Sequence, residues 1–164
     1  MTGMALWIPP PPTQPLLPIP KINLKTLSFF NFYFKLYSSV EISVLIHATE
    51  NENKVISTIF DFIEQPRELV NVETLKTDGH WRNPILRYRI TVNVDVDKIF
   101  DKMFNNLVES YGEDDVKKYV ESNTDRKRVF YARLDKQKLC LGKTILSDRD
   151  SVRLVFKKPS KFKP

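Results

Sequence analysis

Arginine recurs at alternate positions in segments that read as strands, and its planar guanidinium fork suits phosphate. Arg87 and Arg89 lie in ILRYRITV, Tyr131 and Arg133 in VFYARL, and Arg153 and Lys157 in SVRLVFK. Successive strand side chains point to opposite faces, so each set falls on the side away from its apolar neighbours. Tyr131 adds a ring on which an unpaired base can stack. Exposed strand cations also serve solubility and edge protection. Clustering favours binding over that plainer role. Residues 126–164 hold thirteen bases against three acids, whereas residues 37–75 hold two against seven and residues 95–125 four against nine. The basic quarter contributes Arg126, Lys127, Arg128, Lys136, Lys138 and Lys143 as further phosphate contacts for RNA, and Arg82 joins them from the middle of the chain.

The segment TDGHWRNP sets His80, Trp81 and Arg82 between two turn-forming pairs, Asp78-Gly79 and Asn83-Pro84. Two readings stand side by side. An exposed Trp81 would be a stacking platform flanked by His80 and Asn83; a Trp81 folded over the core edge would leave His80 bonded within its loop.

Catalytic chemistry has little to draw on. Two histidines and one cysteine do not supply a zinc site, and four glycines leave no phosphate-cradling loop. Cys140, inside an LCL run, reads as a buried thiol. Glu113-Asp114-Asp115 complements a helix start. We therefore expect no enzyme activity, cofactor or metal. Two alternatives remain. One is a scaffold subunit or homodimer held by its basic and acidic segments; the other is an RNA-cleaving enzyme with His80 as general acid or base, oriented by Asp78.

The elements that must position these residues follow from periodicity. Val40, Ile42, Val44 and Ile46 alternate as a strand, and Thr49 with Glu52 forms a capping box. Val55, Ile56, Ile59, Phe60 and Ile63 share a helical face that Pro66 closes. Strands follow at Leu69–Leu75 and at 85–94, the latter with Leu86, Tyr88, Ile90, Val92 and Val94 inward, separated by a loop over Lys76–Pro84. A second helix, capped by Asp97, carries Ile99, Phe100, Met103, Phe104, Leu107 and Val108. A short helix at 113–121, a strand at 129–134, a capped turn of helix at 135–141, and a hairpin of 143–146 with 151–157 complete the chain. The order β-α-β-β-α-(α)-β-α-β-β predicts an α+β fold: an antiparallel-rich mixed sheet with two main helices packed on one face.

This domain spans 38–159, with a basic tail at 160–164. Residues 1–37 differ: seven of the eleven prolines fall between Pro9 and Pro20, and no acid precedes Glu41. Such composition predicts a disordered leader or a start placed too far upstream. Its aromatic run LSFFNFYFKLY is shorter than the roughly 20 residues needed to span a bilayer, so no membrane association is expected. A lone cysteine fits a reducing compartment, the cytoplasm.

Three segments, HATENENKV, TDGHWRNPI and RLDKQKLCLGK, resemble an archaeal family of exosome-associated RNA-binding proteins, in the same order and over about 38–159. The last motif departs from the family pattern, with Lys138 and Leu139 in place of two alanines. The resemblance implies a fold like that of the large-subunit ribosomal protein that docks on 5S rRNA. It also implies a role accessory to RNA processing or decay, with RNA and exosome-type subunits as partners. The matched residues it points to are His80, Asn83, Asp135, Lys136 and Gln137; residues 1–37 have no counterpart in it.

Overall fold

The computed structural model describes residues 37–159; the leader up to residue 36 and the basic tail at 160–164 lie outside the described residues. Strict alternation in SVEISVLIH builds β1 (Ser39–His47), with Val40, Ile42, Val44 and Ile46 all buried. β1 occupies the centre of a five-stranded sheet ordered β2-β3-β1-β5-β4, where β2 is Val70–Asp78, β3 Pro84–Val92, β4 Phe130–Asp135 and β5 Ser151–Lys157. Every pairing is antiparallel, so the mixed sheet expected from the sequence is wholly antiparallel. Four helices complete the α+β fold: α1 (Glu52–Ile63), α2 (Val96–Tyr111), α3 (Glu113–Ser122) and α4 (Lys136–Cys140).

The apolar stripes of α1 and α2 cover one face of the sheet. Val55, Ile56, Ile59, Phe62 and Ile63 are buried on α1, and Ile99, Phe100, Met103, Phe104 and Leu107 on α2. Phe100 centres an aromatic cluster, its ring 5.0 Å from Tyr37, 5.8 Å from Phe130 and 5.5 Å from Phe156. Tyr37 packs into this core one residue before the expected domain start, and its backbone N–H donates to Asp97 at 3.0 Å. The cover stops short of one edge: all of β2 is exposed or half-buried, as are Leu86 and Tyr88 of β3.

Several local expectations give way to tertiary contacts. α1 is capped by Asn51, whose side-chain oxygen accepts the Lys54 N–H at 3.2 Å, and not by a Thr49–Glu52 box. Glu52 instead accepts the Tyr88 hydroxyl. Asp97 does not cap α2; it sits in the first turn holding Tyr37, and Asp95 leads in with a left-handed φ of 52°. α1 ends at left-handed Glu64, ahead of Pro66. Phe60 is only half-buried, with the Arg67 guanidinium 4.9 Å from its ring, and Phe62 takes the buried place. Val94 lies past the end of β3 and is exposed. The loop read over Lys76–Pro84 is shorter than expected, since β2 runs on to Asp78 and β3 starts at Pro84.

The terminal hairpin is absent. β5 already pairs with β1 on one side and β4 on the other, so 143–146 has no edge to join. That segment lies along the outer edge of β4 instead, where Asp135 N–H donates to the Ile145 carbonyl at 2.7 Å and Ser147 N–H to that of Arg133 at 3.1 Å. Cys140 is half-buried, since α4 turns only Leu139 fully inward from the LCL run.

The rotation of α1 is open to a direct check. Phe62→Ala should lower stability in urea unfolding by about 3 kcal/mol and Phe60→Ala by less than about 1.5 kcal/mol. Equal losses would mean that α1 is turned differently about its axis.

Candidate functional site

Strand registers assemble a transverse row on the face turned away from the helices: Glu73, Arg89, Ser43, Arg153 and Arg133, one from each strand in sheet order. Arg87 stands one step along, between Leu45 and Leu75. The expected parity holds, because Arg87, Arg89, Arg133, Arg153 and Lys157 are all exposed while Ile90, Ala132, Leu134, Leu154 and Phe156 are buried.

The row is not uniformly cationic. Arg89 lies 3.4 Å from Glu41 and 3.5 Å from Glu73, and Lys157 lies 3.7 Å from Glu41, so these charges are largely balanced within the sheet. Arg133 and Arg153 differ. They face each other directly across β4 and β5, and neither makes an ion pair among the described residues. Like charges in that position repel, and a bound anion would relieve the repulsion. The Arg153 guanidinium lies 5.5 Å from the centre of the Tyr131 ring.

At this end of the row Tyr119, Asn123, Asp125, Tyr131, Asp148 and the two arginines line a groove of about 470 Å³. α3 forms one wall. Its Tyr119 ring packs edge-on against Phe130 at 6.1 Å, and its hydroxyl accepts the Arg133 N–H at 3.3 Å. Burial pushes that hydroxyl above its ordinary pKa, and the nearby Asp148 carboxylate adds to the rise. Asp125 builds the adjoining turn: one carboxylate oxygen accepts the N–H groups of Lys127 and Val129, each at 2.9 Å, and the other accepts the Tyr131 hydroxyl at 3.3 Å. The turn leaves Arg126, Lys127 and Arg128 exposed beside the groove.

Lys136 is not on this surface. It is 1% exposed, and its ammonium donates to the Leu45 carbonyl at 2.8 Å while lying 2.8 Å from Glu50 and 2.6 Å from Asp150. The cause is local. Asp135 caps α4 by accepting the Lys138 N–H at 2.8 Å, and the first helical residue then projects under the end of the sheet. Its expected phosphate contact is thereby excluded. Gln137 donates to Glu50 at 2.9 Å, so Asp135, Lys136 and Gln137 all serve the framework. Burial raises the Asp150 pKa, but the hydrogen bond and charge of Lys136 outweigh it and hold the carboxyl below the usual range. His47, Glu50 and Asp150 offer ligand atoms within 4.8 Å of one another, and the Lys136 ammonium lies against both carboxylates.

The three motif segments meet at this end of the sheet. Glu50 comes from the first and Lys136 and Gln137 from the third, while His47 of the first pairs with Ile85 of the second in the β1–β3 ladder. The second motif also forms the β2–β3 hairpin tip. Gly79 is needed there, since a Cβ would stand 2.6 Å from the Ile85 side chain and 3.0 Å from the Asn83 carbonyl oxygen, which accepts the Gly79 N–H at 2.7 Å. Trp81 and Arg82 follow with left-handed φ of 65° and 60°, at a cost on the order of 1–2 kcal/mol each. The indole is 85% exposed, and His80 packs edge-on against it at 5.4 Å, so the tip matches the platform reading. Among the described residues no hydrogen bond joins His80 to Asp78.

The structure thus brings Tyr131, Arg133, Arg153 and the 126–128 turn together, with Arg87 and Arg89 across the sheet. Lys138 and Lys143 are exposed on and just after α4, which packs against α1 on the helical side. Tyr119, Asn123 and Asp148 were not singled out from the sequence, because only the docking of α3 and the 145–150 segment against β4 brings them to the groove.

A family profile described as RNA binding matches residues 39–158. An uncharacterized protein of Methanocaldococcus jannaschii is 33% identical over 128 residues, covering 73% of this chain and 83% of that protein. An RNA-binding protein of Pyrococcus abyssi is 31% identical over 120 residues, covering 70% and 76%. Among solved structures, protein SSO0741 from Sulfolobus solfataricus, of the DUF54 family, matches with a TM-score of 0.61 at 22% identity, covering 75% of this chain and 88% of that one. Mth689 from Methanothermobacter thermautotrophicus, a DUF54 protein, also gives 0.61, at 21% identity and with 78% and 88% covered. Both share the fold.

The Lys136 cluster makes a pH prediction. A depressed folded-state pKa stabilises above the ordinary carboxylate value of about 3.9, and the contribution fades as pH falls through the folded value. Asp150→Asn should therefore unfold at lower urea than the parent at pH 7, and the gap should shrink below about pH 4. A gap undiminished at low pH would mean that the Asp150 charge is not its source.

Proposed function

The chain belongs to the RNA-binding family, and we propose that it is a non-catalytic RNA-binding protein whose outer sheet face holds the backbone of an unpaired strand. The observation that carries this reading is the pair Arg133–Arg153: two guanidiniums side by side, without carboxylate partners among the described residues, next to an aromatic ring. Guanidiniums so placed grip successive phosphates, and Arg126, Lys127 and Arg128 extend the grip past the β4 edge. Arg87, which makes no ion pair among the described residues, continues it toward the hairpin tip, where Trp81 offers a second ring. The resemblance to exosome-associated proteins supports a cytoplasmic role accessory to RNA processing or decay. Phosphate and stacking contacts need no reacting side chain, and His80, packed on Trp81, fits a stacking role better than an acid–base one.

One observation favours a second reading as well. Among the described residues β2 is an open edge of nine residues with Leu75 55% and Val72 39% exposed, the kind of edge to which another chain can add a strand. Light scattering after nuclease treatment would separate the two, since a protein-only dimer should survive the nuclease.

RNA binding can be followed by fluorescence anisotropy of a labelled single strand. Affinity should fall with log salt, with a slope of about 0.7 per phosphate contact. Arg133→Ala with Arg153→Ala should weaken binding at least roughly tenfold and flatten that slope, and Trp81→Ala should weaken it about fivefold. Lys138→Ala with Lys143→Ala, on the helical side, should change it less than about twofold. Unchanged affinity in the double arginine variant would remove the outer face from consideration.

A further inference from the structure

We propose that the groove at the β4 edge is a pocket for an unpaired guanine, with the Asp148 carboxylate reading its Watson–Crick edge. This rests on the RNA-binding reading of the same face. Two carboxylates open into a groove lined also by two arginines, two tyrosines, Ser122 and Asn123, and a carboxylate opposes phosphate binding unless it faces a donor. Asp125 is accounted for, since both its oxygens accept bonds from its own turn and from Tyr131. Asp148 is not. It is exposed, and among the described residues it makes neither a hydrogen bond nor an ion pair, though its charge acts on the Tyr119 hydroxyl of the same groove.

The donor it fits follows from base chemistry. Guanine presents two adjacent N–H donors, N1–H and N2–H, which match the two oxygens of one carboxylate. Adenine and cytosine set a single amino donor beside a ring acceptor, and uracil sets one N–H between two carbonyls, so each would turn an acceptor toward Asp148. The rest of the groove supplies what such a base needs. Tyr131, with Arg153 over its ring, gives the stacking surface. Arg133 stands beside Arg153 for a flanking phosphate. A volume of about 470 Å³ is in the range of small-ligand pockets and admits one nucleotide but not a helix. Phosphate contacts alone carry no sequence information, so Asp148 would be the residue that turns a general RNA surface into a selective one.

The test compares labelled oligouridine with the same strand carrying one central guanosine, adenosine or cytidine, bound to the full chain and to Asp148→Asn. The guanosine strand should bind the parent roughly tenfold more tightly than the other three. Asp148→Asn should abolish that advantage while leaving oligouridine affinity unchanged or raised, because a charge that repels phosphate has been removed. Equal binding of all four strands, or a guanosine preference that survives Asp148→Asn, would overturn the inference and leave the RNA-binding reading intact. Absence of binding to every strand would defeat both.

Discussion

The ammonium of Lys136, held under the end of the sheet by Glu50, Asp150 and the Leu45 carbonyl, is the interaction on which the arrangement of this molecule turns. Its partners come from two places far apart in the chain: the end of β1 with the turn that follows it, and the loop before β5. A buried charge stripped of its partners costs several kcal/mol, so any packing that leaves Lys136 in place but displaces one of these loops is strongly disfavoured. The pair is for that reason better understood as fixing which strands lie where than as adding net stability. Gln137 and the Asp135 cap brace the same junction, and together they account for why the third motif contributes to architecture and not to the exposed surface.

Fixing that junction fixes the register of β4 and β5 and thereby the outer face. A slip of one residue in either strand would carry every side chain to the opposite side and put Arg133 or Arg153 into the aromatic core around Phe100. The observed register instead sets the two arginines opposite each other, without an ion pair to either among the described residues. On β3 the same row is balanced by Glu41 and Glu73. Positive charge on this face is thus offset at Arg89 and Lys157 and left unpaired at Arg133, Arg153 and Arg87 among the described residues, which the net charge of +6 does not reveal.

Much of this was legible in the sequence because it depends on short-range periodicity. The alternation Val40, Ile42, Val44 and Ile46 marks β1, and the same rule put Arg87, Arg89, Arg133 and Arg153 on the exposed side. Where the reading failed, a contact distant in sequence decided the matter, except on α1. There Phe62 lies nearer the centre of the buried stripe Val55, Ile56, Ile59 and Ile63 than Phe60, which stands at its margin beside Arg67. The hairpin at 143–146 did not form because β1 had already taken the second edge of β5. Lys136 looked like one more cation in a basic segment, and nothing local distinguishes it from Lys138; the difference is the pair of carboxylates, Glu50 and Asp150, brought in by the fold.

Two places in the molecule are held in states unfavourable on their own: the left-handed Trp81–Arg82 tip and the facing arginines of β4 and β5. Both lie on elements whose other face or base is well anchored, by Phe130 and Phe156 in one case and by the close approach of Gly79 to Ile85 in the other. Such placement is expected where local stability is given up for binding, since the surrounding packing must over-determine a conformation that its own residues would not choose. If the proposed RNA contacts form there, affinity would arise from relief of repulsion and from an indole already held in solvent, with little to reorganise when a strand arrives. Selectivity has to come from elsewhere, and on a surface of cations the informative residue is the one of opposite sign.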